Sequence, residues 1–244
     1  MHLLQSEPAA DGKFILDVTL GKDAPPYAIL SHTWAIDGDN EVSFQDVRDG
    51  NGKNKSGYKK IQLCATQAKK DGLKFCWIDT CCIDKNSSTE VSEAIISMYR
   101  WYRNATKCYA YLSDVSTKDP QRAWRQDFRR SRWFTRNWTL QELLAPVSVE
   151  FFSREWILLG NKNTLEKEIY DITRIPVGAL RGEPLSGFGV DDRLSWAADR
   201  HAKREEDAAY SMIGIFDVSM QLLYGEGREK AMDRLRNEIN PSER

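Results

Sequence analysis

One carboxylate of the chain, Glu142, stands among tryptophan and leucine residues in the segment WTLQELLAP, residues 138–146. If this segment is helical, Trp138 and Glu142 lie one turn apart on one face, so that the indole lines a pocket into which the carboxylate points. Pro146 cannot continue a helix, so the element is short and brings Glu142 close to a chain reversal. The same letters also fit a capping box, in which Thr139 and Glu142 secure the first amides of the helix. The spacing therefore predicts either a carboxylate in a site or a helix cap.

Short elements of two kinds must position this segment. Four apolar runs have the length and residue types of β-strands, at residues 27–30, 75–78, 108–112 and 147–152. Between them, apolar residues recur at helical spacing over residues 58–70 and 91–102. The alternation predicts an α/β fold with a mostly parallel sheet flanked by helices, and the continuously apolar strands are typical of parallel strands covered on both faces.

Polar residues follow each predicted strand. Ser31, His32 and Trp34 follow the first strand, Asp79 and Asp84 the second, and further polar pairs the third and fourth, at residues 113–114 and 153–154. In open parallel sheets ligands bind outside the carboxyl ends of the strands, so we expect these residues to converge on one crevice. Each of them also fits a strand-ending turn or a helix cap, and for the two aspartates the alternative is capping a helix that begins near Ser88.

Composition excludes little but favours an ordinary globular domain. A net charge of −1 on 244 residues gives no electrostatic reason to expect a nucleic-acid or membrane partner. The chain has no apolar run of membrane-spanning length and no signal-peptide pattern, so we expect it in the cytoplasm. The five cysteines are odd in number and mostly embedded in apolar runs, which predicts reduced core residues, and we expect no metal site.

After Trp156 the patterns become helical, at residues 164–171, 192–200, 206–216 and 226–239. We therefore predict one domain over residues 1–244, with an α/β core at about 25–156 and a helical C-terminal annex at 157–244 packed on it.

The run at residues 124–133 mixes arginines with aromatic residues and includes Arg132. Such a run can bind a diphosphate, a nucleic acid or another copy of the chain, or it can form a solvated face. Neither the net charge nor a known binding fold favours nucleic acid, so we expect no such partner. The chain has no Walker A loop, so we do not expect it to hydrolyse nucleoside triphosphates.

Several ordered motifs resemble the signature blocks of the fungal heterokaryon-incompatibility (HET) domain. Three lie in the predicted core and three in the annex: YAILSHTW at 27–34, WIDTCCIDK at 77–85, WTLQELLAP at 138–146, RLSWAA at 193–198, EDAAYS at 206–211 and LYGEG at 223–227. The resemblance covers nearly the whole chain. Two departures, Ala35 and Asn137, replace glycines usual in the family and affect local turn geometry.

The resemblance implies a function. HET domains stand at the N-terminus of fungal proteins that trigger cell death after non-self recognition, often ahead of a nucleotide-binding oligomerisation domain. They are distantly similar to Toll/interleukin-1 receptor (TIR) domains, which implies a TIR-like, flavodoxin-like core. The TIR block that contains the catalytic glutamate of NAD hydrolysis resembles residues 138–143, and that glutamate maps onto Glu142. By this resemblance we expect an NAD glycohydrolase that self-association activates, with NAD as substrate and no cofactor.

That chemistry needs only one carboxylate, because nicotinamide leaves NAD as a neutral base and the enzyme must stabilise an oxocarbenium-like ribose. Glu142 is the candidate catalytic residue. Trp138 or Trp34 supplies a stacking wall. Ser31, Asp79 and Asp84 hydrogen-bond ribose or fix neighbouring loops. The alternative from a different class is a non-enzymatic death-signalling module, and a distant third is a hydrolase that pairs Cys82 with His32.

Overall fold

A mixed β-sheet lies at the centre of the structure, a computed structural model that describes residues 1–18, 24–34, 40–118 and 124–240. Within these ranges the sheet has seven strands in the order β2-β1-β4-β3-β5-β6-β7. Their bounds are β1 His2–Gln5, β2 Leu16–Val18, β3 Tyr27–His32, β4 Phe75–Trp77, β5 Lys107–Tyr111, β6 Val149–Phe152 and β7 Leu158–Asn161. Every residue of β3 is buried, as expected for a strand inside a sheet that is covered on both faces.

The four central strands, β4-β3-β5-β6, are parallel, and the three outer pairings are antiparallel. The predicted α/β class is confirmed, whereas the sheet is mixed rather than mostly parallel. The reason at one edge is chain length: residues 153–157 join β6 to β7, and a parallel connection needs a crossover of about a dozen residues or more. At the other edge, β1 and β2 come from a segment before the first predicted strand.

Five helices accompany the described strands up to β6: α1 Phe44–Asp49, α2 Tyr58–Lys70, α3 Ser88–Asn104, α4 Trp124–Arg129 and α5 Thr139–Leu144. The predicted apolar stripe of α2 is buried, at Ile61, Cys64, Ala65 and Ala68. Helix α3 begins three residues earlier than its apolar pattern, because the Ser87 side chain accepts a hydrogen bond from the Glu90 amide and caps it. A short 3₁₀ helix at Arg132–Thr135 leads into α5.

The C-terminal part is largely helical, as predicted: α6 Glu166–Thr173, α7 Val177–Leu180, α8 Val190–Ser195, α9 Asp207–Tyr210, α10 Ile213–Phe216 and α11 Arg228–Ile239. Gly214 of α10 lies so close to α3 that a Cβ there would stand 2.1 Å from the Cβ of Tyr99. Strand β7 shows that the sheet continues beyond Trp156, so the start of the annex at residue 157 stays a prediction.

Two further properties of the described residues concern their helices and their cysteines. None of the helices within the described ranges is long and apolar enough to cross a membrane. All five cysteines are free and buried, which confirms their prediction as reduced core residues.

Candidate active site

Glu142 is buried at the end of β3, with 6% of its surface exposed. The Ser31 hydroxyl donates a short hydrogen bond to Glu142 Oε2, and the same oxygen of Ser31 accepts from Trp133 Nε1 at 2.7 Å. The Tyr102 hydroxyl also hydrogen-bonds Glu142 and reaches the Leu30 carbonyl oxygen at 3.0 Å. A carboxyl group from α5 is thereby attached to the carboxyl end of a central parallel strand, where open α/β sheets bind ligands.

The capping-box alternative is excluded by the geometry of α5. Trp138 occupies the N-cap position, and no side chain caps the helix. The Thr139 hydroxyl instead donates to backbone carbonyls, that of Trp133 and that of Arg136, the latter at 2.9 Å. Glu142 therefore does not cap α5, and its carboxyl group is hydrogen-bonded to Ser31 instead.

Burial raises the pKa of Glu142 to about 8, and the nearby negative charge of Asp79 acts in the same direction. Hydrogen bonds from Ser31 and Tyr102 and the positive charge of Arg136 oppose this rise. A carboxyl group with this pKa is mostly protonated at pH 7. A side chain that titrates near the operating pH is suited to accept a proton in a reaction.

A second polar cluster lies beside the first and contains His32, Trp34 and Asp79, three of the predicted site residues. His32 Nε2 is 3.0 Å from Asp79 Oδ1, and Trp34 Nε1 donates to Asp79 Oδ2 at 2.7 Å. Lys85 Nζ lies 3.6 Å from the centroid of the Trp34 ring, a cation–π contact. Burial disfavours the ionised form of Asp79, but the hydrogen bonds from His32 and Trp34 and the positive charge of Lys85 hold its pKa well below the usual range.

The hydrogen bonds fix the tautomer of His32, whose side chain is buried. Lys60 Nζ is 3.1 Å from His32 Nδ1, and an ammonium group can only donate. Nδ1 must therefore accept, so the ring proton sits on Nε2 and is donated to Asp79. Lys60 is held in turn by an ion pair with Glu41.

The remaining predicted residues lie outside these two clusters. The Asp84 carboxylate accepts from the Asn86 amide at 3.0 Å, which is a turn contact. Arg132 is exposed, and its backbone amide donates to Asp114 at 2.8 Å. Trp138 Nε1 donates to Asp207 of α9 at 3.1 Å. Ligand contacts of these three residues stay predictions.

The polar residues after the third and fourth strands fasten loops. Asp114 accepts from the Ser131 hydroxyl at 2.7 Å, and Arg154 Nε donates to the Ser113 carbonyl oxygen at 2.8 Å. Ser153 donates to Glu155 at 3.0 Å. The predicted convergence therefore holds for the ends of β3 and β4, while the ends of β5 and β6 have the alternative role of turns.

Sequence reasoning missed the residues that hold α5 in place. Lys162, with 2% of its surface exposed, donates through Nζ to the carbonyls of Leu143 and Pro146 at 3.3 and 2.7 Å, which secures the C-terminal end of α5. Burial lowers the pKa of Lys162 to about 8. A single lysine in a polar stretch carries no signal in the sequence that it will be buried.

Arg200 is the second such residue and has 3% of its surface exposed. Its Nη1 donates to the Arg136 carbonyl and to Thr139 Oγ1, both at 2.9 Å. Burial lowers its pKa to about 9, and the negative charge that Glu142 carries when it ionises acts in the opposite direction. Its position two residues after the RLSWAA motif was the available signal.

The structure thus defines an α/β protein with a buried, weakly acidic glutamate at the end of a central parallel strand. Among the described residues, no group of three or more His, Cys, Asp or Glu side chains could hold a metal ion. Residues 27–121, which contain the His32–Asp79 cluster, match the family model described as heterokaryon incompatibility protein (HET).

A vegetative incompatibility protein, HET-E-1 of Podospora anserina, is 56% identical over 243 residues, which is 98% of this chain and 18% of that protein. The chain carries a heterokaryon-incompatibility (HET) domain, as its motifs predicted. It spans less than a fifth of the length of this relative. No solved structure matches the chain. Ala35, one of the two glycine replacements, lies outside the described residues.

Proposed function

We propose that this HET domain is a cell-death effector of fungal non-self recognition that hydrolyses NAD to nicotinamide and ADP-ribose, or to a cyclic form of it. The observation that carries the proposal is the placement of Glu142, a buried carboxyl group held by Ser31 at the end of β3, with a pKa of about 8. The proposed hydrolysis of NAD requires one carboxyl group, and Glu142 is the candidate for it.

In the proposed reaction the bond between the ribose C1′ and the nicotinamide nitrogen breaks, and nicotinamide leaves as a neutral base with the electron pair. The ribose carbon becomes oxocarbenium-like, and a carboxylate beside it stabilises the positive charge. Water or an internal nucleophile then attacks C1′ and releases one proton, which Glu142 accepts. The cationic pyridinium of bound NAD favours the ionised carboxylate, so substrate binding itself promotes the active form.

Two further features support the proposal. The order of the central strands, β4-β3-β5-β6, corresponds to 2-1-3-4 in chain order, which is the order in flavodoxin-like sheets and is consistent with the TIR-like resemblance. Trp34 lies beside Asp79 at the same edge and offers an aromatic face, although Lys85 covers part of it in this structure. A nicotinamide or adenine ring that displaced Lys85 would stack on the Trp34 ring in its place.

The cell-death role is inferred from the HET family and from the vegetative incompatibility protein that the chain resembles. Because that relative is several times longer, we infer that this domain works within a larger cytoplasmic protein, with a nucleotide-binding oligomerisation domain as a candidate partner. Clustering of copies by such a partner is the proposed activation step.

The test is NAD consumption and product identity by chromatography at high protein concentration, with a crowding or clustering agent present. Glu142→Gln removes the proposed catalytic group, while Glu150→Gln is a matched control on β6, where Glu150 only pairs with Lys107. We expect the wild type and Glu150→Gln to consume NAD at equal rates, with a loss of about 10²-fold or more for Glu142→Gln. Equal rates for Glu142→Gln and the wild type would refute the proposal.

The second candidate, a non-enzymatic death-signalling module, is favoured by the burial of Glu142, because a carboxyl group with 6% exposure can serve folding alone. It predicts that none of the three proteins consumes NAD although light scattering shows that they assemble. In that case Glu142→Gln retains binding to partner copies and cell-death signalling.

A further inference from the structure

We propose a second ligand site, for a phosphorylated sugar, in a cavity of about 520 Å³ between the entry to α5 and the start of α11. A cavity of this size can hold a nucleotide-sized molecule. Its walls come from Asn137, from the loop that contains Arg200, Arg204 and Glu205, and from the first turn of α11. None of these residues forms a hydrogen bond with Ser31 or Glu142. The inference goes beyond the proposed function and does not depend on NAD hydrolysis.

The cavity is lined by two buried side chains that each keep one polar atom without a partner among the described residues. Arg200 uses Nε and Nη1 in hydrogen bonds to Trp196, Arg136 and Thr139, but its Nη2 has no acceptor. Asn137, with 2% exposure, leaves its Oδ1 without a donor. Unpaired buried polar groups are costly, so an anionic acceptor at Arg200 Nη2 and a donor at Asn137 Oδ1 would each satisfy one of them.

The first turn of α11 provides amide donors to the same cavity. Gly227, at φ 82°, is the N-cap, and no side chain caps the following amides of Arg228, Glu229 and Lys230, which also line the cavity. Such a helix terminus attracts phosphate through both its free N–H groups and its dipole. The amides just before this helical turn are already occupied, because the Glu206 carboxylate accepts hydrogen bonds from the Gly225 and Gly227 amides, at 2.7 and 3.1 Å.

Charge at the cavity favours an anion. Four cationic side chains line it, namely Arg200, Arg204, Arg228 and Lys230, together with His201, against three acids, Glu205, Glu226 and Glu229. Glu226 is already paired with Arg234 at 2.5 Å and accepts from Tyr210 at 2.9 Å. Arg204 is held in place over the Tyr224 ring at 4.2 Å. The cations and the helix terminus would bind phosphate, while Asn137 Oδ1 would accept from a sugar hydroxyl.

Arg200 also connects this cavity with α5, because the same guanidinium group donates to Thr139 Oγ1. A phosphate that neutralises Arg200 would reduce the positive field that acts on Glu142. The ligand would therefore affect the carboxyl group of the candidate active site without contacting it.

The test is calorimetric titration of the whole chain with ribose 5-phosphate, inorganic phosphate and ribose. Arg200 is unsuited to substitution because it holds the backbone of two segments, so the variant is Arg228→Ala with Lys230→Ala, both on the exposed wall. The matched control is Lys59→Ala with Lys70→Ala, which removes two exposed lysines from α2. We expect the Kd for ribose 5-phosphate to rise about tenfold in the cavity variant and to be unchanged in the control.

The assignment is overturned if ribose 5-phosphate fails to bind the wild type at millimolar concentration, or if both double variants lose affinity equally. Equal affinity for inorganic phosphate and ribose 5-phosphate would overturn the role of Asn137 as hydroxyl acceptor. Glu142→Gln should bind ribose 5-phosphate like the wild type, so that failure of NAD hydrolysis and failure of this site are distinguished.

Discussion

Ser31 and His32 are neighbours at the end of β3, and each is bonded to a carboxyl group, yet the two carboxyl groups have opposite protonation behaviour. Glu142, bonded to Ser31, has a pKa raised to about 8, whereas the pKa of Asp79, bonded to His32, lies well below its usual range. Burial acts on both in the same direction. The difference therefore comes from their partners.

The partners of Glu142 are mainly hydroxyl groups, which cannot offset the loss of hydration of a buried charge. Asp79 receives the imidazole of His32 and the indole of Trp34 and lies near the charge of Lys85. Because Asp79 stays ionised, its charge further raises the pKa of Glu142. The Asp79 cluster thus keeps a negative charge, whereas the Glu142 cluster disfavours one; acid–base enzymes also contain pairs of carboxyl groups whose pKa values are shifted apart.

The largest effect is expected for Asp79→Asn. An amide offers one oxygen in place of two, so either His32 or Trp34 loses its acceptor, and Lys85 loses a nearby negative charge. We expect a loss of about 2–4 kcal/mol in the free energy of unfolding, measured by urea denaturation. Asp49→Asn, an exposed change on α1, is the control and should be nearly neutral. A loss below 1 kcal/mol, on the order of an exposed ion pair, would show that the Asp79 cluster is not structural.

Glu142→Gln should give an intermediate effect that depends on pH. An unfolded glutamate loses its proton near pH 4.3, whereas the folded one holds it until about pH 8. The stabilisation from the neutral carboxyl group is fully present below about pH 4.3 and is lost as the pH rises through 8, so wild-type stability falls across this range.

Glutamine cannot ionise, so the variant should lack this decline. At pH 8.5 we expect its Tm to exceed that of the wild type by about 3 °C or more, with a smaller difference at pH 5.5. Glu150→Gln, measured in parallel, should follow the wild type. Parallel curves for Glu142→Gln and the wild type would contradict the raised pKa of Glu142.

Ser31→Ala should give the smallest loss of stability, about 1 kcal/mol, because buried Trp133 Nε1 loses its acceptor while the packing is nearly kept. The informative measurement on this variant is the pH dependence of kcat/KM. Ser31 lowers the pKa of Glu142, so its removal should move the rise of kcat/KM for NAD to higher pH. Ser195→Ala, an exposed change on α8, serves as the control. If Ser31→Ala hydrolyses NAD with an unchanged pH dependence of kcat/KM, Ser31 does not control the pKa of Glu142.

Local patterns predicted the elements with strong periodicity. Helix α2 has the bounds that its apolar spacing predicted, residues 58–70, because four buried positions recur on one face. The strands β1, β2 and β7 were missed, since these segments become strands only by pairing with a neighbouring strand. Pairing partners far along the chain leave no local signal.

The candidate site shows the same division. Trp138, the N-cap of α5, and Glu142 do lie one turn apart. The indole, however, hydrogen-bonds Asp207, 69 positions away, and the carboxyl group hydrogen-bonds Ser31, 111 positions away. Helical spacing fixes which residues share a face, whereas the contacts of that face depend on how the elements pack. The two side chains are therefore held by different partners, and the pocket that they were predicted to share stays a prediction.

The sequence by itself determined the family and the α/β class and named Glu142 as the candidate carboxylate, because ordered motifs and periodicity are properties of the chain alone. The tertiary structure decided that Glu142 is buried, that its neighbours are hydroxyl groups and that Asp79 keeps its charge nearby. Those three conditions set the pKa of Glu142, since the free energy of a buried charge depends on every group around it and not on its place in the sequence.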